Sequence, residues 1–102
     1  MDEFAHYAML LDFYGPLLTE RQNEIMDLHF NNDLSLVEIA EHAGISRQGA
    51  YDALKKGKRT LDLYEVKLGL AGRFKEVMKL FDDDDIRDVQ EIRKRILEIY
   101  ND

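Results

Sequence analysis

The chain has 102 residues, 45% of them hydrophobic and 34% charged, with no cysteine and a formal net charge of −7. That length supports one domain with its own core, and the composition excludes disulfides, thiolate chemistry and any apolar run of the about 18 residues a membrane span needs. A single Pro and abundant Leu, Glu, Lys and Ala favour an all-α fold.

The acidic start Met1-Asp2-Glu3-Phe4 is unlike a signal peptide. Phe4, Tyr7, Ala8, Leu11 and Tyr14 recur at threes and fours, which predicts a first helix over 4–14 with those side chains buried. Gly15-Pro16 stops it, and Leu17 and Leu18 are expected beneath the next helix. Thr19 and Gln22 form a capping box that starts a second helix at Glu20, with Ile25, Leu28 and His29 inward, and Asn31-Asn32-Asp33 ends it. His29 reads as a packing residue.

Residues 35–56 read as a helix-turn-helix. Ser35 and Glu38 make another capping box, and Leu36, Ile39, Ala40 and Ala43 form the first helix's stripe. Gly44 occupies the turn, where φ is expected to be positive. Ile45 plugs the corner, and Ser46 caps the second helix. Ala50, Ala53 and Leu54 then face inward. Gly57 is read as the end of that helix. A long helix over about 59–81 follows, striped by Leu61, Tyr64, Leu68, Ala71, Phe74, Met78 and Phe81. Leu63, Val66, Leu70, Val77 and Leu80 widen its apolar face, which points to a homodimer through this helix. Gly69 and Gly72 each weaken it by about 1 kcal/mol relative to Ala and mark a kink or a close crossing. Asp82 to Asp85 lack the spaced ligands and turn glycine of a calcium loop. Asp85 instead reads as the cap of a last helix over about 86–100, striped by Ile86, Val89, Ile92, Ile96, Ile99 and Tyr100.

The candidate contact residues are Ser46, Arg47, Gln48, Tyr51, Asp52, Lys55, Lys56, Lys58 and Arg59. In a DNA-binding helix-turn-helix the second helix enters the major groove, where Arg pairs with guanine and Gln with adenine. Between Gly44 and Thr60 five cations stand against Asp52 alone, a net of +4, so the remainder carries −11. A basic patch on an acidic body suits a specific polyanion and opposes indiscriminate coating of DNA; it equally suits RNA or an acidic protein. No enzyme constellation emerges: the three histidines are too far apart for a zinc motif, and no Gly-rich phosphate loop is present. No metal or cofactor is expected.

Tyr14-Gly15-Pro16-Leu17-Leu18-Thr19 with Gln22, Leu34-Ser35-Leu36 with Glu38-Ile39-Ala40, Ile45-Ser46-Arg47-Gln48 with Tyr51-Asp52, and Tyr64-Glu65 with Lys67-Leu68-Gly69-Leu70 occur in that order. Together they resemble the bacterial YlxM family, which is similar to region 4 of bacterial sigma factors in its helix-turn-helix. The resemblance reaches to about Leu80. A single helix-turn-helix domain over 1–102, winged-helix-like and non-enzymatic, is expected, and the resemblance implies a small cytoplasmic protein. It further implies a protein encoded beside the signal recognition particle GTPase, acting in that targeting pathway through the GTPase or its RNA. Duplex DNA is the alternative partner. One departure stands out: Gly49-Ala50 occupies the place of an expected Ala-Val, and Gly49 should loosen the second helix.

Overall fold

The computed structural model describes residues 2–83 and 88–101. Among these are α1 (Glu3–Tyr14), a 3-10 turn (Gly15–Leu17), α2 (Glu20–Phe30), α3 (Leu36–Ala43), α4 (Arg47–Leu68), α5 (Leu70–Phe81) and α6 (Val89–Tyr100). The fold is all-α. No strand occurs among the described residues, so no wing follows the helix-turn-helix. The chain divides into two compact units, residues 1–68 and residues 69–102.

In the first unit each helix start is a local hydrogen-bond event. Asp2 accepts from the Ala5 amide at 3.0 Å and opens α1. Thr19 and Gln22 exchange hydrogen bonds at the head of α2, and Ser35 and Glu38 do so at the head of α3. Both are complete capping boxes, worth about 0.5–2 kcal/mol each through the cap side chain. The carboxyl of Glu38 is held below the usual carboxylate range by the backbone and side chain of Ser35.

The core lies where α1, α2 and α3 pack on α4. Leu10, Tyr14, Ile25, Met26, Ile39 and Leu61 are its largest wholly enclosed side chains. Two of these, Leu10 and Met26, lie beside the anticipated stripes. Phe4 is partly exposed because it sits in the first turn, its ring laid across His29 and Phe30 at 4.9 and 5.3 Å between centroids. Leu18 is buried as expected, whereas Leu17 points outward from the 3-10 turn. Leu28 is only half-buried, and Phe30 takes the deep position at the end of α2. His29 packs as expected, with Nδ1 2.8 Å from the Leu34 carbonyl oxygen. The Tyr14 hydroxyl, inside the core, donates to Glu65 Oε1 at 2.5 Å.

The largest departure concerns the helix boundaries. Gly57 does not end the second helix of the helix-turn-helix: α4 runs unbroken for 22 residues, from Arg47 to Leu68. Gly57 is buried inside it, because the missing side chain lets Met26 of α2 press on the backbone. The break falls instead at Gly69, whose φ of 63° is left-handed and which caps α5. The anticipated 59–81 helix is thus the rear of α4 followed by α5, while Gly72 remains helical.

The second unit is a pair of helices. Arg73, near the start of α5, lies over the ring of Tyr100, at the end of α6, 5.8 Å from its centroid, so the two run antiparallel. Asp88 opens α6 by accepting from the Gln90 amide at 3.1 Å. The expected Asp85 cap and Ile86 start lie outside the described residues; the described helix begins at Val89.

Candidate nucleic-acid interface

The turn between α3 and α4 is built from three residues. Gly44 adopts φ 67°, with its amide donating to the Ala40 carbonyl. The Ile45 amide donates to the same carbonyl at 3.0 Å. Ser46 Oγ accepts from the Gly49 amide at 2.9 Å and seals the front of α4. The Arg21 guanidinium donates to the Ala43 carbonyl at 3.2 Å and satisfies the end of α3. Gly49 continues α4, and a Cβ there would stand 3.1 Å from Ser46 Oγ.

One side of α4 is fixed in the core by Ala50, Leu54, Gly57 and Leu61. Helical geometry then dictates what faces outward. Ser46 at the cap, and Arg47, Gln48, Tyr51, Asp52, Lys55, Lys56 and Arg59 along the helix, are all exposed. From Arg47 to Arg59 the strip is about 18 Å long at about 1.5 Å per residue. Tyr51 is 48% exposed and stands one turn behind Arg47. Its ring lines two shallow grooves, one shared with Leu36, Arg47 and Gln48, the other with His29, Phe30, Leu36, Leu54, Lys55 and Lys58. Gln48 Nε2 donates to Asp52 Oδ1 at 3.0 Å, one turn along, which restrains the amide.

Lys58 differs from the other candidates. It is half-buried, its ammonium 2.7 Å from Glu3 Oε1 and 5.8 Å from the centroid of the Tyr7 ring. The Glu3 carboxyl is held below its ordinary range by that hydrogen bond and by the charge of Lys58. Beside it, Tyr7 donates to Asp62 Oδ2 at 2.9 Å. Burial first, and then that bond, push the Tyr7 hydroxyl up to about 12. Glu3, Tyr7 and Asp62 thus close the rear of the cationic strip. Sequence reading missed them, since Glu3–Lys58 and Tyr7–Asp62 each join residues 55 positions apart.

A family model described as "Putative helix-turn-helix protein, YlxM / p13 like" matches residues 1–102. The chain is 61% identical over 74 residues to a UPF0122 protein of Acetivibrio thermocellus, a match covering 72% of this chain and 63% of that protein. It is 51% identical over 78 residues to a UPF0122 protein of Caldanaerobacter subterraneus subsp. tengcongensis, covering 76% and 67%. A UPF0122 protein of Clostridium kluyveri is 48% identical over 77 residues, covering 76% and 69%. The chain therefore spans about two thirds of the length of these curated relatives.

Proposed function

The chain belongs to this YlxM / p13-like helix-turn-helix family, and on that premise we propose that it is a non-enzymatic accessory component of the signal recognition particle pathway, binding the particle's RNA or its GTPase through the outer strip of α4. The observation that carries the reading is the strip itself. Lys55 and Arg59 are exposed on the outer face of a helix whose opposite face is locked in the core, with Arg47 and Lys56 exposed at the two margins of that outer face. Such a strip is presented without reorganisation, so binding costs little ordering of the backbone. Against RNA the contacts would be to phosphates and unpaired bases, since an A-form major groove is too narrow for a helix. The half-exposed Tyr51 ring suits stacking on such a base. Against the GTPase the same cations would meet an acidic surface.

Duplex DNA is the second reading, favoured by the front of α4. Arg47 and Gln48 occupy the first turn, where a recognition helix meets base edges. A helix about 10–12 Å across fits a major groove about 12 Å wide.

Fluorescence anisotropy of the full chain with the particle's RNA and its GTPase as probes, together with selection of bound sequences from a pool of random duplexes, separates these readings. The pathway reading expects binding of the RNA or the GTPase at micromolar concentration and a pool without an enriched motif. Arg47→Ala would then weaken the retained partner, and Lys55→Ala would lower the salt slope on RNA by about 0.7. An enriched duplex motif, with Arg47→Ala losing about 1–3 kcal/mol at one base position, transfers the assignment to DNA. Absence of binding to all three probes defeats both.

A further inference from the structure

The α5–α6 pair has two unlike sides. Leu80 of α5 is buried, and Val77 of α5 and Ile92, Ile96 and Ile99 of α6 are half-buried. These residues form the row along which the two helices meet. On α5, Met78 and Phe81 lie about a quarter turn from that row. On α6, Val89, Arg93, Leu97 and Tyr100 are offset by about the same quarter turn, counted at about 100° per residue. Because the helices are antiparallel, equal offsets point to the same side. The pair therefore carries one mainly apolar face on which Met78, Phe81, Val89, Leu97 and Tyr100 are 44%, 61%, 74%, 48% and 53% exposed, with the exposed Arg93 among them. The opposite side is a groove whose charged lining is Glu76, Lys79, Asp83, Arg95 and Glu98, three carboxylates against two cations.

We propose that this apolar face is covered by the same face of a second copy of the chain, stacked antiparallel to form a four-helix bundle. Area supports a second copy. Aromatic side chains carry about 150–250 Å² each, and the five named residues together leave about 500 Å² open. Two copies would remove about 1,000 Å², the lower bound for a specific interface. Charge supports the antiparallel order. Asp82, Asp83 and Asp88 flank the connection between the helices, while Arg73 and Lys75 lie near the other end of α5. Antiparallel stacking separates the two acidic ends and sets each beside the cations of the other copy; parallel stacking would bring the aspartates together.

The test uses the full chain. Sedimentation velocity between about 1 and 500 μM is expected to show a concentration-dependent dimer. Phe81→Asp and Leu97→Glu are expected to give monomers of unchanged helicity by circular dichroism, because both side chains are already half-exposed. Val66→Glu, on α4 and 84% exposed in the wild-type chain, is expected to leave the dimer intact. The chain lacks cysteine, so a single introduced thiol reports on its own twin. Met78→Cys, level with the middle of α6 by the Arg73–Tyr100 pairing, is expected to cross-link on oxidation, and Val89→Cys, at one end, is not. A wild-type monomer throughout, a dimer indifferent to Phe81→Asp and Leu97→Glu, or cross-linking of the Val89→Cys chain and not of the Met78→Cys chain would each overturn the proposal.

Discussion

Gly57→Ala is the most informative single change in the first unit. In an open helical site this substitution stabilises by about 1 kcal/mol, because Ala restricts the unfolded backbone. Here the new methyl would stand 2.5 Å from Met26 Sδ, 2.9 Å from its Cγ and 3.1 Å from its Cε. Met26 is wholly enclosed, so its thioether cannot swing out into solvent. Overpacking of this kind costs about 1–3 kcal/mol, which exceeds the propensity gain. The expected net loss is about 1 kcal/mol, or about 4–8 °C in Tm for a domain of this size. Urea unfolding followed by far-ultraviolet circular dichroism measures it as a lower midpoint at unchanged slope. Met26→Ala alone should cost about 2–5 kcal/mol as a cavity, and in that background Gly57→Ala should become neutral or stabilising. A single Gly57→Ala protein more stable than wild type would refute the close approach of α2 to α4, and with it the burial of this glycine.

Gly44→Ala should destabilise by about 1–2 kcal/mol because φ is 67° and no neighbouring atom compensates; Gly44→Asn should cost less, and chemical denaturation that ranks them otherwise contradicts the left-handed turn. Glu3→Gln should release Lys58 from its ion pair, raising nucleic-acid affinity and steepening the salt slope by up to about 0.7–0.9; an unchanged slope would show that Lys58 lies off the contact face. Tyr7 should titrate near 12 by absorbance at alkaline pH. Since its folded value lies above the unfolded one near 10, its contribution is present below about pH 10 and is lost as pH rises toward 12. Tyr7→Phe should therefore show a smaller alkaline loss of stability than wild type.

The parts of the fold that are legible in sequence are those decided within one turn of chain. Thr19 with Gln22, Ser35 with Glu38, and Gly44 each complete their hydrogen bonds or backbone geometry among residues no more than four positions away. The length of α4 was not legible, for a physical reason. Gly57 and Gly69 both interrupt a continuous apolar pattern, and intrinsic propensity treats them alike. Only the position of Met26, more than thirty residues upstream, makes Gly57 a crossing point rather than a stop. The outward set from Arg47 to Lys55 followed from periodicity. The engagement of Lys58 by Glu3 did not, since it depends on where α1 is laid down. At α6 the sequence points to Asp85, whereas the cap among the described residues is Asp88.

The unbroken passage of α4 through Gly57 has a consequence for how this chain tolerates insertions and deletions. A loop between a reading head and its support can gain or lose a residue with little effect on either. A continuous rod cannot, because each residue added or removed between Lys56 and Leu61 turns everything ahead of it by about 100° relative to everything behind. One deletion there would swing Arg47 and Lys55 toward the body of the protein and bring apolar Ala50 and Leu54 toward water. The number of residues separating Arg47 and Lys55 from Leu61 is thus as firmly specified as their identities.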